Sequence, residues 1–114
     1  MTESQIVKSV LDLLEALRRN GLPVIATRTN AGQVQTIQGR WIKLCDPGWG
    51  DITGCIAGIP VMIECKTRHG VARKEQLHAR QKWEAAGGVY LLVNELQVIR
   101  DYLRARGLLT ESTR

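Results

Sequence analysis

What this 114-residue chain lacks closes off several classes of function. Its apolar runs fall far short of the ~20 residues that span a bilayer, and no basic segment leads into an apolar core at the N-terminus. A cytosolic protein with no membrane partner is therefore expected. The chain has no glycine-rich loop of the P-loop kind, which argues against ATP use. Its three cysteines, Cys45, Cys55 and Cys65, are odd in number and show neither CxxC spacing nor a histidine pair set like a zinc site. They read as reduced thiols, with Cys55 and Cys65 in the core. Internal repeats, low-complexity tracts and linkers are also absent, so residues 1–114 read as one domain with one modest core.

Charge is present in excess and unevenly placed. The net charge is +5, and residues 58–114 carry ten Lys and Arg against six Asp and Glu, while residues 1–57 carry six against five. Such an excess suits a polyanionic partner, because each phosphate neutralised releases counterions; it is also a common device for solubility.

Helix signals bracket the chain. Thr2-Glu3-Ser4-Gln5 fits a capping box, and Ile6, Val10, Leu13, Leu14 and Leu17 recur at helical spacing until Asn20-Gly21. Arg73 to Ala86 predicts a second helix with a stripe only partly apolar, stopped by Gly87-Gly88. Leu96 to Arg106 predicts a third, followed by a frayed tail after Gly107. Leu22 to Thr29 and the polar run Gln33 to Ile37 read as strands around a turn at Thr29–Gly32. Val89 to Val93 reads as a central strand buried on both faces, reached by a crossover and so parallel to the strand before it. The order α-β-β-β-β-α-β-α predicts an α/β fold, a mixed central β-sheet flanked by helices.

The chemistry concentrates between Gly48 and Lys66. Ile52 to Ala57 and Val61 to Lys66 predict a hairpin, and a four-residue loop, Ala57 to Pro60, sets Ile56 opposite Val61. Thr53 then faces Glu64 and Asp51 faces Lys66, so alternation puts Asp51, Glu64 and Lys66 on one face, the two carboxylates diagonal neighbours. Converging carboxylates with a backbone carbonyl, that of Cys65, make an all-oxygen site suited to Mg²⁺ or Mn²⁺. Such an ion polarises a phosphate and acidifies a water, and Lys66 can hold that water or neutralise developing charge; the implied reaction is phosphodiester hydrolysis. Taken singly, a Glu-x-Lys on a strand is more often a solvated face, and an Asp before a strand is commonly a turn residue.

Asp51, twelve intervening residues and then Glu64-Cys65-Lys66 resemble the core of the PD-(D/E)XK nucleases. The flanking residues resemble the VRR-NUC family: Glu3 on the first helix, the Gly-rich approach to Asp51, Gln76 opening the next helix, and Gly87-Gly88 before an apolar strand. Gly50 stands where the name-giving motif has Pro, and Arg73 where the family often has a capping Ser. The resemblance implies a restriction-endonuclease-like core and a Mg²⁺- or Mn²⁺-dependent endonuclease acting on branched DNA such as four-way junctions. It also implies occurrence in phages and bacteria, and a homodimer is expected because two-fold symmetric substrates need paired sites. Glu3 would then reach the metal site, whereas its position in the first turn is equally explained by the helix dipole. Gln76 could aim its amide at the water or metal. Arg40, Lys43, Arg68, Arg73 and Lys74 are candidate phosphate contacts. Trp41 fits a sugar or base face, and equally a core edge or a subunit interface. The competing reading is a basic DNA-binding module without turnover.

Overall fold

Thr2 opens the first helix by the expected reciprocal cap: its hydroxyl accepts from the Gln5 N–H, and the Gln5 side chain accepts from the Thr2 N–H. In the computed structural model, which describes residues 1–110, helix α1 runs Glu3–Arg19. It ends in a Schellman turn, with Gly21 at φ +97° and the Leu22 N–H on the Leu17 carbonyl. The same closure recurs at Gly87 after α2 (Lys74–Ala85) and at Gly107 after α3 (Leu96–Ala105). Each of these glycines had been legible as a stop.

The protein is a mixed α/β fold. Strands β1 (Val24–Arg28), β4 (Ile52–Ile56), β5 (Ile59–Cys65) and β6 (Val89–Val93) form one sheet in the order β1-β4-β5-β6. The first two pairings are antiparallel, and β5 and β6 run parallel as their crossover requires. The remaining strands, β2 (Gln33–Gln35) and β3 (Trp41–Lys43), pair only with each other. β3 adds a strand to the expected order. No described helix is long and apolar enough to cross a membrane.

Alternation sorts the sheet into two unlike faces. Val24, Ile52, Ile56, Val61, Ile63, Cys65 and Val93 pack with Ile6, Val10 and Leu14 of α1 and Ile99 and Leu103 of α3 into one core. The opposite face carries Thr53, Met62, Glu64 and Tyr90, with α2 against β6. Burial of the first face supplies the main stabilisation, since each fully buried aliphatic side chain contributes about 1.5–3 kcal/mol.

Four expectations need correction. The β4–β5 hairpin has a two-residue loop, Ala57-Gly58, with Ile56 opposite Ile59. Positive φ at both Ala57 (48°) and Gly58 (84°) matches the mirror-image turn whose twist suits paired strands. Pro60 is accommodated because it sits opposite Cys55, in the pair next to the turn-closing one. Its nitrogen therefore points away from β4, and pairing to β6 begins only at Val61. β6 is an edge strand, not a central one: its apolar run reflects a helix on each face, and Leu92 remains exposed. Cys55 is exposed because it shares the face opposite Ile52 and Ile56, whereas Cys65 is buried as expected. After Gly107, Leu108 and Leu109 pack against the core; the rest of the expected frayed tail, residues 111–114, lies outside the described residues.

Candidate active site

The hairpin register differs from expectation by two residues, an even number, so Asp51, Glu64 and Lys66 still share a face. Ile52 faces Ile63, which carries Asp51 to the level of Glu64 directly instead of diagonally. Asp51 is tied there by the Cys65 N–H, which donates to its Oδ2 at 2.8 Å. A strand residue directs its N–H and C=O to the same edge, so the Cys65 carbonyl also points to the Asp51 side. The Cys65 thiol belongs to the core, and burial with the nearby Asp51 and Glu64 carboxylates pushes it up to about 12.

Glu64 is the most constrained group. It is 4% exposed, and the Gln76 amide donates to its Oε1 at 2.9 Å. The Gln76 Oε1 accepts the Arg73 N–H at 2.9 Å, which fixes which end of the amide faces Glu64. Gln76 thus caps its own helix and orients a carboxylate. The sequence had suggested that its amide would face a water or metal. Arg73, as the N-cap residue, returns no side-chain hydrogen bond. Desolvation, then the adjacent Asp51 charge, pushes the Glu64 carboxyl up to about 8, with Lys66 opposing. When Glu64 holds a proton, its hydroxyl can donate a hydrogen bond to the Asp51 carboxylate.

Lys66, 6% exposed, sets Nζ 3.8 Å from Glu64 Oε1 and 3.9 Å from Glu3 Oε1. Glu3 is half-exposed at the rim and meets the ammonium, while the helix cap is made by Thr2 and Gln5. Glu3, Asp51, Glu64, Lys66, Arg73 and Gln76 line one cleft of about 670 Å³. Four carboxylates, Glu3, Asp51, Glu64 and Glu75, face two cations, Lys66 and Arg73. The carboxylates outnumber the cations, so a phosphate enters such a cleft more favourably when further positive charge accompanies it. Among the described residues no three His, Cys, Asp or Glu side chains group closely enough to hold an ion by themselves. A cation here would rest on Asp51, Glu64 and the Cys65 carbonyl, an oxygen set that fits Mg²⁺ or Mn²⁺. No protein-family model matches the chain, and no curated protein does.

The remaining candidates divide. Arg73 lines the cleft, whereas Arg40, Lys43, Arg68 and Lys74 do not. Arg40 sits in the turn of the β2–β3 hairpin, and Lys43 is paired with Asp46 at 2.9 Å. Arg68 is exposed in the loop after β5, and Lys74 is the exposed first residue of α2. The glycines before Asp51 serve packing. A Cβ on Gly48, at φ +84°, would overlap the Glu75 carbonyl, and one on Gly50 would come within 2.6 Å of the Met62 side chain. Gly48 lets the 46–51 loop lie on the first turn of α2 and Gly50 lets it approach β5, which brings Asp51 and Gln76 to one place. Sequence reasoning missed Glu75 and the role of Trp49, whose indole N–H donates to the Thr53 hydroxyl at 2.9 Å. The Gly-Trp-Gly triplet was the available signal.

Proposed function

We propose that the protein is a Mg²⁺- or Mn²⁺-dependent endonuclease hydrolysing DNA phosphodiester bonds on a PD-(D/E)XK core of the VRR-NUC kind, with branched DNA such as four-way junctions as substrate. One observation carries the reading: a buried Glu64, oriented by Gln76, shares a cleft with Asp51 and with a buried Lys66. Burying a lysine beside a carboxylate whose charge is itself disfavoured is costly for a mere surface and serves a site that handles charge. The same cost counts against a purely binding module.

Asp51, Glu64 and the Cys65 carbonyl would hold the ion, which supplies a polarised phosphate and a more acidic water when bound. The protein's own groups do the rest. Gln76 fixes the Glu64 carboxylate, the Cys65 N–H fixes that of Asp51, and Lys66 directs its ammonium at charge developing on the phosphate. Arg73, at the start of α2, holds a neighbouring phosphate with the help of the helix N-terminus.

A second copy of the chain is the partner proposed for symmetric substrates. In support, one face of the β2–β3 hairpin exposes the cross-strand pair Val34 and Ile42, with Leu44 two residues further on, an apolar face that a second copy would cover; Trp41 is exposed on the other face and Ile37 in the turn. The test is incubation with linear, flap and four-way-junction DNA, with Mn²⁺ or with EDTA. Mn²⁺-dependent cleavage fastest on the junction is expected; an intact junction under both conditions would refute the nuclease reading.

A further inference from the structure

Behind Trp49 lies a second cleft of about 530 Å³, on the other side of the wall that Pro47, Trp49 and Glu75 make with the first. Trp83, His78 and Lys82 of α2 line its far side. The two indoles meet edge to face, with ring centroids 5.5 Å apart and an interplanar angle of 80°. Both indole N–H groups are already spent, on the Thr53 hydroxyl and the Val89 carbonyl. What the tryptophans offer an occupant is therefore ring surface, suited to stacking and without hydrogen-bond preference. Lys82 and His78 add a cation and a polar ring at the same opening, where Asp46 and Glu75 also lie, so the cleft suits an aromatic group whose phosphate is carried on the Lys82 side.

We infer that this cleft takes an unpaired nucleobase of the DNA strand, splayed out beside the phosphate held in the first cleft. The inference rests on the proposed nucleic-acid substrate and adds that the substrate must present an unstacked nucleotide next to the cut. Branch points and flaps supply one at little cost, whereas a continuous duplex must first be unstacked. Selectivity for branched DNA then arises within one chain, through the neighbouring cleft.

The inference is tested by binding in EDTA, where cleavage plays no part. A single-stranded oligodeoxynucleotide of about ten residues is titrated against the full chain while indole fluorescence is followed. An oligomer of the same length with abasic sugars, and a blunt duplex, serve as the comparison probes. Expected are quenching by the single strand alone and binding about tenfold weaker in Ala79→Leu, which fills the cleft from α2, with Lys82→Ala lowering the salt dependence. Equal binding of the single strand by Ala79→Leu and the unaltered protein, or equal quenching by the abasic oligomer, would overturn the inference. Circular dichroism of Ala79→Leu confirms that the comparison is between folded proteins. Base-dependent binding without any Mn²⁺-dependent cleavage would leave the cleft assigned and refute only the nuclease reading.

Discussion

Glu64 is buried among the Gln76 amide, the Lys66 ammonium and the Asp51 carboxylate, an environment that disfavours its charge. Its carboxyl lies near pH 8, well above the ordinary 4.5, so at neutral pH the ion-free protein holds it mostly protonated. A raised carboxyl contributes stability that is fully present below pH 4.5 and is lost as pH rises through 8, at most about 5 kcal/mol. The ion-free protein should lose thermal stability between pH 5 and 9, and Glu64→Gln should flatten that loss; melting curves in EDTA measure both. Mn²⁺ binding near pH 7 should release a proton, visible as a buffer-dependent heat in calorimetry. For turnover, Asp51→Ala and Glu64→Ala should abolish cleavage while leaving DNA binding largely intact; wild-type rates in either would refute the mechanism. Gln76→Ala should lower kcat about 10–100-fold, because it frees the Glu64 carboxylate. Lys66→Ala should lower kcat more than it raises Kd for uncleaved DNA, since its charge is directed at the transition state.

Among the elements, the β4–β5 hairpin determines whether the site exists, and its turn is held from outside. The Arg106 guanidinium donates to the Ile56 carbonyl at 2.6 Å and to the Ala57 carbonyl at 3.2 Å, and the Ala57 N–H donates to the Pro23 carbonyl. That clamp offsets the cost of a left-handed alanine, about 1–2 kcal/mol. Ala57→Gly should relieve strain and stabilise by up to about 1 kcal/mol, whereas Arg106→Ala should destabilise by about 1–3 kcal/mol. Urea denaturation resolves both signs, and a destabilised Ala57→Gly would show that the turn is not strained.

On the scale of the whole molecule, the radius of gyration is 15.0 Å and the long axis 52 Å against 30 and 29 Å. A compact chain of this length would have a radius of about 13 Å. A two-stranded ribbon is marginal alone, and β2–β3 pairs with no other strand, so its exposed apolar side chains favour a covering partner. Light scattering at micromolar concentration should give twice the 12.7 kDa of one chain, and Ile42→Lys should return it to one. A monomer mass for the unaltered protein, with equal rates on junction and linear DNA, would leave a nicking nuclease.

Local chemistry by itself determined the helices and the strand faces. Caps and left-handed glycines act within a few residues, so Thr2, Gln5, Gly21, Gly87 and Gly107 announced where helices begin and end. Period-two alternation likewise put Glu64 of β5 and Lys66, just past its end, on one side, and an even register shift kept Asp51 with them. Tertiary contacts decided what depends on distant neighbours. Register followed from a turn clamped by Arg106, some fifty residues away, and β6 became an edge because sheet order is set by packing and not by its own apolar run. Gln76 found Glu64 only because Gly48 lets the 46–51 loop lie on α2, a fit between backbones that no periodicity records. The Glu64 carboxyl owes its raised value to burial and to Asp51 across the strand pair, both properties of the folded chain alone.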